Sequence, residues 1–228
     1  MIAKKKEFSL GAGMLVAFVV ILVLMFTPVF DGQNGLEYLD ALYNSISKGS
    51  AYYIPKVKKE TDHFTGNSVD VTLVMNHREQ AQQSGKLFMK SGALVNVSEN
   101  ELKVRGDLGK ILANALEDAD KMYYNDGNYI SDKYGYEEKR VLYNWWSAFK
   151  AMESDLKNQK KFKEAKVVAL TVKKAVETSY NYYGIQPQDI MDRLGIVVFS
   201  LVFYVVYTLW YGFAVMFMFE GWGMQLEH

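Results

Sequence analysis

Apolar side chains are massed at the two ends of the chain and spaced out through its middle. From Ser9 to Phe30 the sequence SLGAGMLVAFVVILVLMFTPVF carries no charge. As a helix it would be about 33 Å long, close to the thickness of a bilayer's hydrocarbon core. The stretch is longer than the apolar region of a cleaved signal peptide. It is followed by the bulky Thr27-Pro28-Val29-Phe30 rather than a small-residue cleavage site, so an uncleaved anchor is expected. From Ile196 to Phe219 a second uncharged run is too uniformly apolar for the core helix of a soluble domain, which keeps a polar face. Two transmembrane helices are therefore expected, one near each end.

Between them the period changes repeatedly. Leu36, Leu39, Leu42, Tyr43 and Ile46 recur at helical spacing up to Gly49, and the stretch from Tyr52 through Lys59 reads as a connection. Val69, Val71 and Leu73 alternate with polar residues and predict a strand. Asn76 with Glu79 predicts a helix N-cap, with a stop near Gly92. Val95 and Val97, a polar turn at 98–101, then Leu102 and Val104 predict a β-hairpin. Asp107 caps a further helix with the inner face Leu108, Ile111, Leu112, Ala115, Ala119 and Met122. This order suggests a small α+β unit, a partial ferredoxin-like arrangement whose sheet an added strand would complete.

The last polar stretch has the firmest pattern. Leu142, Trp145, Phe149, Met152 and Leu156 step by helical intervals, and after a polar run the pattern restarts at Phe162, Ala165, Ala169, Val172 and Val176. The phase slips between the two sets, which predicts an antiparallel helical hairpin, with one long kinked helix as the alternative. The fold class expected is an α+β membrane protein. Its helices at 9–30 and 190–220 flank an ectodomain made of a juxtamembrane stretch (31–67), a small α+β unit (68–127) and a helical hairpin (128–189). Residues 1–8 form an N-terminal segment, and 221–228 a tail whose Leu226-Glu227-His228 resembles an expression-tag scar.

Charge then orients this plan. Lys4, Lys5 and Lys6 precede the first span, so the positive-inside tendency places both termini in the cytoplasm of a cell (inner) membrane and the middle outside, periplasmic or extracellular. With 26 basic and 26 acidic residues the chain lacks the electrostatic footprint of a nucleic-acid binder. The absence of cysteine removes disulfides, thiolate metal sites and iron–sulfur clusters.

Catalytic motifs are sparse, and no cofactor is implied. His63 and His77 are not spaced as a metal pair. Gly106-Asp107-Leu108-Gly109-Lys110 is too short for a phosphate loop and is followed by Ile111 instead of a hydroxyl. Glu117, Asp118, Asp120 and Asp126 lack calcium-loop spacing and read as a solvated acidic face, and Tyr129, Asp132, Tyr134 and Tyr136 as a tyrosine-rich contact loop. In the second span Ser200, Tyr204, Tyr207 and Tyr211 place four hydroxyls on one face, which should meet protein or water rather than lipid. Gly13 and Ala17 on the first span have small-x-x-x-small spacing suited to helix contact. These features suggest a non-enzymatic, self-associating integral membrane protein whose external domain mediates assembly or interaction. A homo-oligomeric pore lined by the second span is the alternative, and an accessory subunit of a larger membrane complex a further one. The expected partners are lipid, other copies or other membrane subunits, and not nucleic acid.

Overall fold

The computed structural model describes residues 2–30 and 32–224, so Asp31 and the expected tag remnant Leu226–His228 lie outside the described residues. The described residues are mostly helical, with one small antiparallel sheet among them. The chain divides into two compact units, residues 50–186 and the two terminal segments 1–49 with 187–228.

The terminal unit contains the two helices long and apolar enough to cross a membrane, α1 (Lys5–Met25) and α10 (Leu194–Gly221). At 1.5 Å per residue they are about 32 and 42 Å long. α1 stops short of the end of its apolar run, because Thr27 donates its hydroxyl to the Leu24 carbonyl and Pro28 cannot continue the ladder. The helices pack antiparallel: the Ala3 amide bonds the Gly221 carbonyl at one end, and Phe18 stacks on Tyr207 at mid-length. α2 (Gly35–Ser50) opens with a capping box. The Asn34 Oδ1 accepts from the Leu36 and Glu37 amides, and Glu37 accepts from the Asn34 amide.

The middle unit begins with α3 (Ile54–Asp62), a helix where the sequence suggested a connection. Pro55 is tolerated there because the first-turn amide it lacks has no intrahelical partner. β1 (Ser68–Val74), β2 (Leu94–Ser98) and β3 (Glu101–Asp107) form a sheet in the order β1-β3-β2. Both outer strands run antiparallel to β3, with Val71 and Val95 each opposite Val104. β1 and β2 are therefore parallel to each other and joined by α4 (Arg78–Lys90), a split β-α-β arrangement. Val69, Val71, Leu73, Leu102 and Val104 face the core, as the alternation predicts. Asn76 is not the cap of α4. The helix starts after His77 with no side-chain cap, and the Asn76 amide instead bonds Gln80 Oε1.

α5 (Leu108–Tyr123) starts where expected, with the Lys110 amide donating to Asp107 Oδ1, and its predicted inner face is buried. The tyrosine-rich loop is in fact α6 (Gly127–Tyr134), closed by Gly135 in the left-handed region. α7 (Glu138–Asn158) buries Leu142, Trp145, Phe149, Met152 and Leu156 completely and turns back at Gln159–Lys161 into α8 (Phe162–Thr171).

The second arm of the hairpin departs from the expected register. Phe162 is 64% exposed and Ala169 only half-buried, whereas Ala165, Val168, Val172 and Val176 form the buried face. The helix passes through a π-helical turn at Val172–Val176 before α9 (Glu177–Tyr182), and the Glu177 amide bonds the Val172 carbonyl. The widened turn takes one residue more than an α-turn, which rotates the side chains of α9 by about 100° from the register of α8. One continuous core joins the sheet, α4, α5, α7 and α8, and a satellite cluster seats Ile54 and Val57 of α3 against Leu116 and Ala119 of α5.

Candidate functional site

In the terminal unit the helix seam is built from small residues and hydrogen bonds. Gly11 and Gly221 make the close approaches: a Cβ on Gly11 would lie 2.7 Å from the Ala214 carbonyl oxygen, and one on Gly221 2.5 Å from Phe8 Cβ. Gly13, favoured by its spacing, is exposed, and a Cβ there would have no neighbour within 4 Å. Ala17 is half-buried. The Tyr207 hydroxyl donates to the Phe18 carbonyl at 3.1 Å, and Trp210 Nε1 to the Met14 carbonyl at 3.2 Å. Ser200 donates to the Val197 carbonyl and shares a 2.6 Å hydrogen bond with Tyr43 of α2.

The hydroxyl stripe is thus divided. Ser200 and Tyr207 belong to the seam, and the half-exposed Tyr211 leans on Phe18 with ring centroids 5.1 Å apart. Tyr204 faces outward, 69% exposed, and its hydroxyl has no hydrogen-bond partner among the described residues. Beside the seam, Leu24, Met25, Tyr38, Leu39, Phe199 and Phe203 help line an apolar cleft of about 440 Å³.

In the middle unit one member of the acidic group departs from a solvated face; Glu117 is exposed and Asp120 and Asp126 are half-buried. Asp118 is wholly buried, and its carboxylate accepts three hydrogen bonds. They come from Lys133 Nζ at 2.7 Å, the Tyr134 hydroxyl at 2.5 Å and Trp145 Nε1 at 2.7 Å. Asn114 ties the group to α4 by donating to the Leu87 carbonyl and Ser91 Oγ, while its own oxygen accepts from Lys133. Burial lifts Asp118 above the usual carboxylate range, against the pull of Lys133, Tyr134 and Trp145. The ammonium of Lys133 stands where a cation would have to bind. Trp145 has two tasks that its spacing alone cannot reveal, filling the core against Phe88 and Phe149 and donating to Asp118. Among the described residues no group of three or more His, Asp or Glu is placed to hold a metal ion.

Three tyrosines extend this electrostatic picture. Tyr52, Tyr134 and Tyr136 all have hydroxyl pKa values raised, chiefly by desolvation; beyond that, Tyr52 donates to Asp120, and Tyr134 lies against Asp118. Their folded-state pKa lies above the unfolded value of about 10, so above that pH the folded chain keeps protons that the unfolded chain has lost. Stability should therefore fall as pH rises past about 10. Chemical denaturation across alkaline pH, with phenolate absorbance followed in parallel, should show the midpoint dropping and part of the phenolate signal appearing only with unfolding.

The surface of the unit carries several clefts. One, of about 710 Å³, includes the charged residues Lys58, Lys90, Lys110, Glu117 and Asp120. Another, of about 350 Å³, is lined by Tyr143, Trp146, Val176, Glu177, Tyr180 and Asn181. His63 ends α3, and His77 lies 3.4 Å from an Arg140 guanidinium nitrogen. Comparison of the chain with protein-family models, with curated proteins and with solved structures finds no match.

Proposed function

We propose that the chain is an integral membrane protein whose two terminal helices anchor a folded ectodomain, and that it works by recognition and assembly rather than catalysis. The carrying observation is the outer surface of the α1–α10 pair. Val16, Val23, Phe199, Val202 and Leu209 are all more than half exposed, and no charged residue occurs from Ser9 to Phe30 or from Leu194 to Phe219. Water-soluble monomers rarely expose continuous apolar surface beyond a few hundred Å². In a bilayer the same surface is solvated by acyl chains, and the helix backbones satisfy their own hydrogen bonds.

The antiparallel pair fits both termini on one side, and the positive-inside tendency of Lys4–Lys6 favours the cytoplasm for that side. The ectodomain then lies in the periplasm or outside the cell. Protease added to sealed right-side-out cells should cut within residues 50–186, and alkaline carbonate should leave the chain in the membrane fraction. A chain that dissolves without detergent, or an ectodomain untouched until the cells are lysed, would overturn the proposal.

Self-association is the second half of the reading, and Tyr204 supports it. A phenol turned outward near the middle of an apolar helix has only hydrocarbon for company, and leaving a hydroxyl unpaired there is costly. A second copy can supply the missing acceptor. Tyr204→Phe removes the hydroxyl and nothing else, so it should weaken self-association in mild detergent by about threefold, the usual size of an interhelical hydrogen bond in membranes. Wild-type chain that stays monodisperse and monomeric at every concentration would end this part of the proposal.

A further inference from the structure

We infer that the cleft between α7 and α9 is a binding site for a small organic cation of the alkylammonium class, such as a choline-like headgroup. It stands on the middle unit alone and does not depend on the membrane reading. Three aromatic rings line the cleft, Tyr143, Trp146 and Tyr180, with a single carboxylate, Glu177. The Tyr143 and Trp146 rings are stacked with centroids 5.9 Å apart and planes inclined by 26°. Aromatic faces attract cations through the ring quadrupole, most strongly when the cation is weakly hydrated, and methylated ammonium groups are recognised in this way.

The carboxylate is held in place. Trp146 Nε1 donates to Glu177 Oε1 at 2.7 Å, fixing the charge beside the indole. The π-turn at Val172–Val176 closes on the Glu177 amide, and it is this widened turn that carries Glu177 and Tyr180 round to the α7 side. π-turns inside helices are uncommon and are concentrated at functional sites.

Two of the rings already have a cation of the chain beside them. The Arg140 guanidinium lies 5.2 Å from the Tyr143 centroid and the Lys150 ammonium 5.9 Å from that of Trp146. Neither cation lines the cleft. The groups that do line it are aromatic, apolar, amide and anionic, which favours a cation over an anion. A volume of about 350 Å³ suits a trimethylammonium group with a short substituent.

The test uses full-length protein in a nonionic detergent, titrated calorimetrically with choline and separately with 3,3-dimethyl-1-butanol, its uncharged carbon counterpart, at constant ionic strength. Choline should bind saturably, and the neutral analogue at least about tenfold more weakly. Glu177→Gln keeps an acceptor for Trp146 Nε1 and removes only the charge. It should weaken choline binding by about tenfold while leaving the thermal melt unchanged. Equal binding of choline and its neutral analogue, no saturable heat with choline, or a folded Glu177→Gln chain that binds choline as wild type does would each overturn the inference. The comparison of ligands on wild-type protein decides the matter even if the variant fails to fold. Repeating the titration in nanodiscs of phosphatidylcholine and of phosphatidylglycerol separates the sources. Weaker apparent binding in phosphatidylcholine supports a lipid headgroup as occupant, and equal binding supports a soluble cation.

Discussion

Replacing Asp118 with alanine should cost the folded chain about 3–5 kcal/mol, the range seen when one partner of a buried ion pair is removed. The substitution takes from Lys133, whose side chain is only 15% exposed, its nearest counter-charge, leaving it Asn114 Oδ1 and the more distant Glu117 carboxylate at 3.7 Å. It also removes the acceptor shared by the Tyr134 hydroxyl and Trp145 Nε1, each then facing a penalty for an unmet buried donor. These donors come from α6 and α7 and the carboxylate from α5, so the loss should loosen the junction of three helices. Denaturant unfolding of the full-length chain in detergent measures it, and a loss below about 1 kcal/mol, the centre of ordinary point mutations, would refute the role assigned to Asp118.

Asp118→Asn should be milder, since one acceptor survives, and it allows a check by pH. The folded-state pKa of Asp118 is raised by burial, so the folded chain binds its proton more tightly than the unfolded chain. By linkage, stability must fall as pH climbs from the ordinary aspartate value of about 3.9 up to the raised one. The wild type should show this decline and Asp118→Asn should not. Parallel pH profiles for the two chains would discredit the raised pKa.

Gly11→Val should destabilise the α1–α10 pair by about 1–3 kcal/mol, the usual cost of forcing extra methyl groups into packed surroundings. A Cβ at this position meets the Ala214 carbonyl oxygen and the Met218 amide nitrogen at 2.7 Å, and these are backbone atoms that cannot step aside. The helices must separate, and the bonds from Tyr207 and Trp210 to the α1 carbonyls lengthen with them. Gly13→Val is the matched control because nothing approaches within 4 Å of its Cβ. Thermal melts in detergent should show a lower midpoint for Gly11→Val and little change for Gly13→Val. The reverse order would mean that the two helices meet on another face.

The two glycines illustrate what a single sequence can and cannot carry. Spacing marks small residues on α1, but the contact depends on how far each helix is rotated about its own axis. That rotation is set with the far end of the chain, where Tyr207 and Trp210 reach the carbonyls of Phe18 and Met14. The capping box of Asn34 and Glu37 is local in its spacing, yet the turn residues around it mask the signal. Phe162 misleads for a different reason: it is apolar and at helical spacing from Ala165, but it is the first residue of α8, at the turn from α7, and stays exposed. The π-turn further along has no motif in the residues Val172–Val176.

By itself the sequence determined the two long apolar helices, the alternating strands of the sheet, the Asp107 cap and the buried face of α7. Each of these is written in neighbouring residues, because a helix or strand exposes its own periodicity to the solvent it faces. Only the tertiary structure decided that Asp118 is buried in a ring of donors, that Gly11 rather than Gly13 meets α10, and that Glu177 joins Trp146 in an aromatic cleft. Those outcomes pair residues far apart along the chain, such as Asp118 with Trp145, and the free energy of a polar or close-packed contact depends on a partner that local pattern does not name.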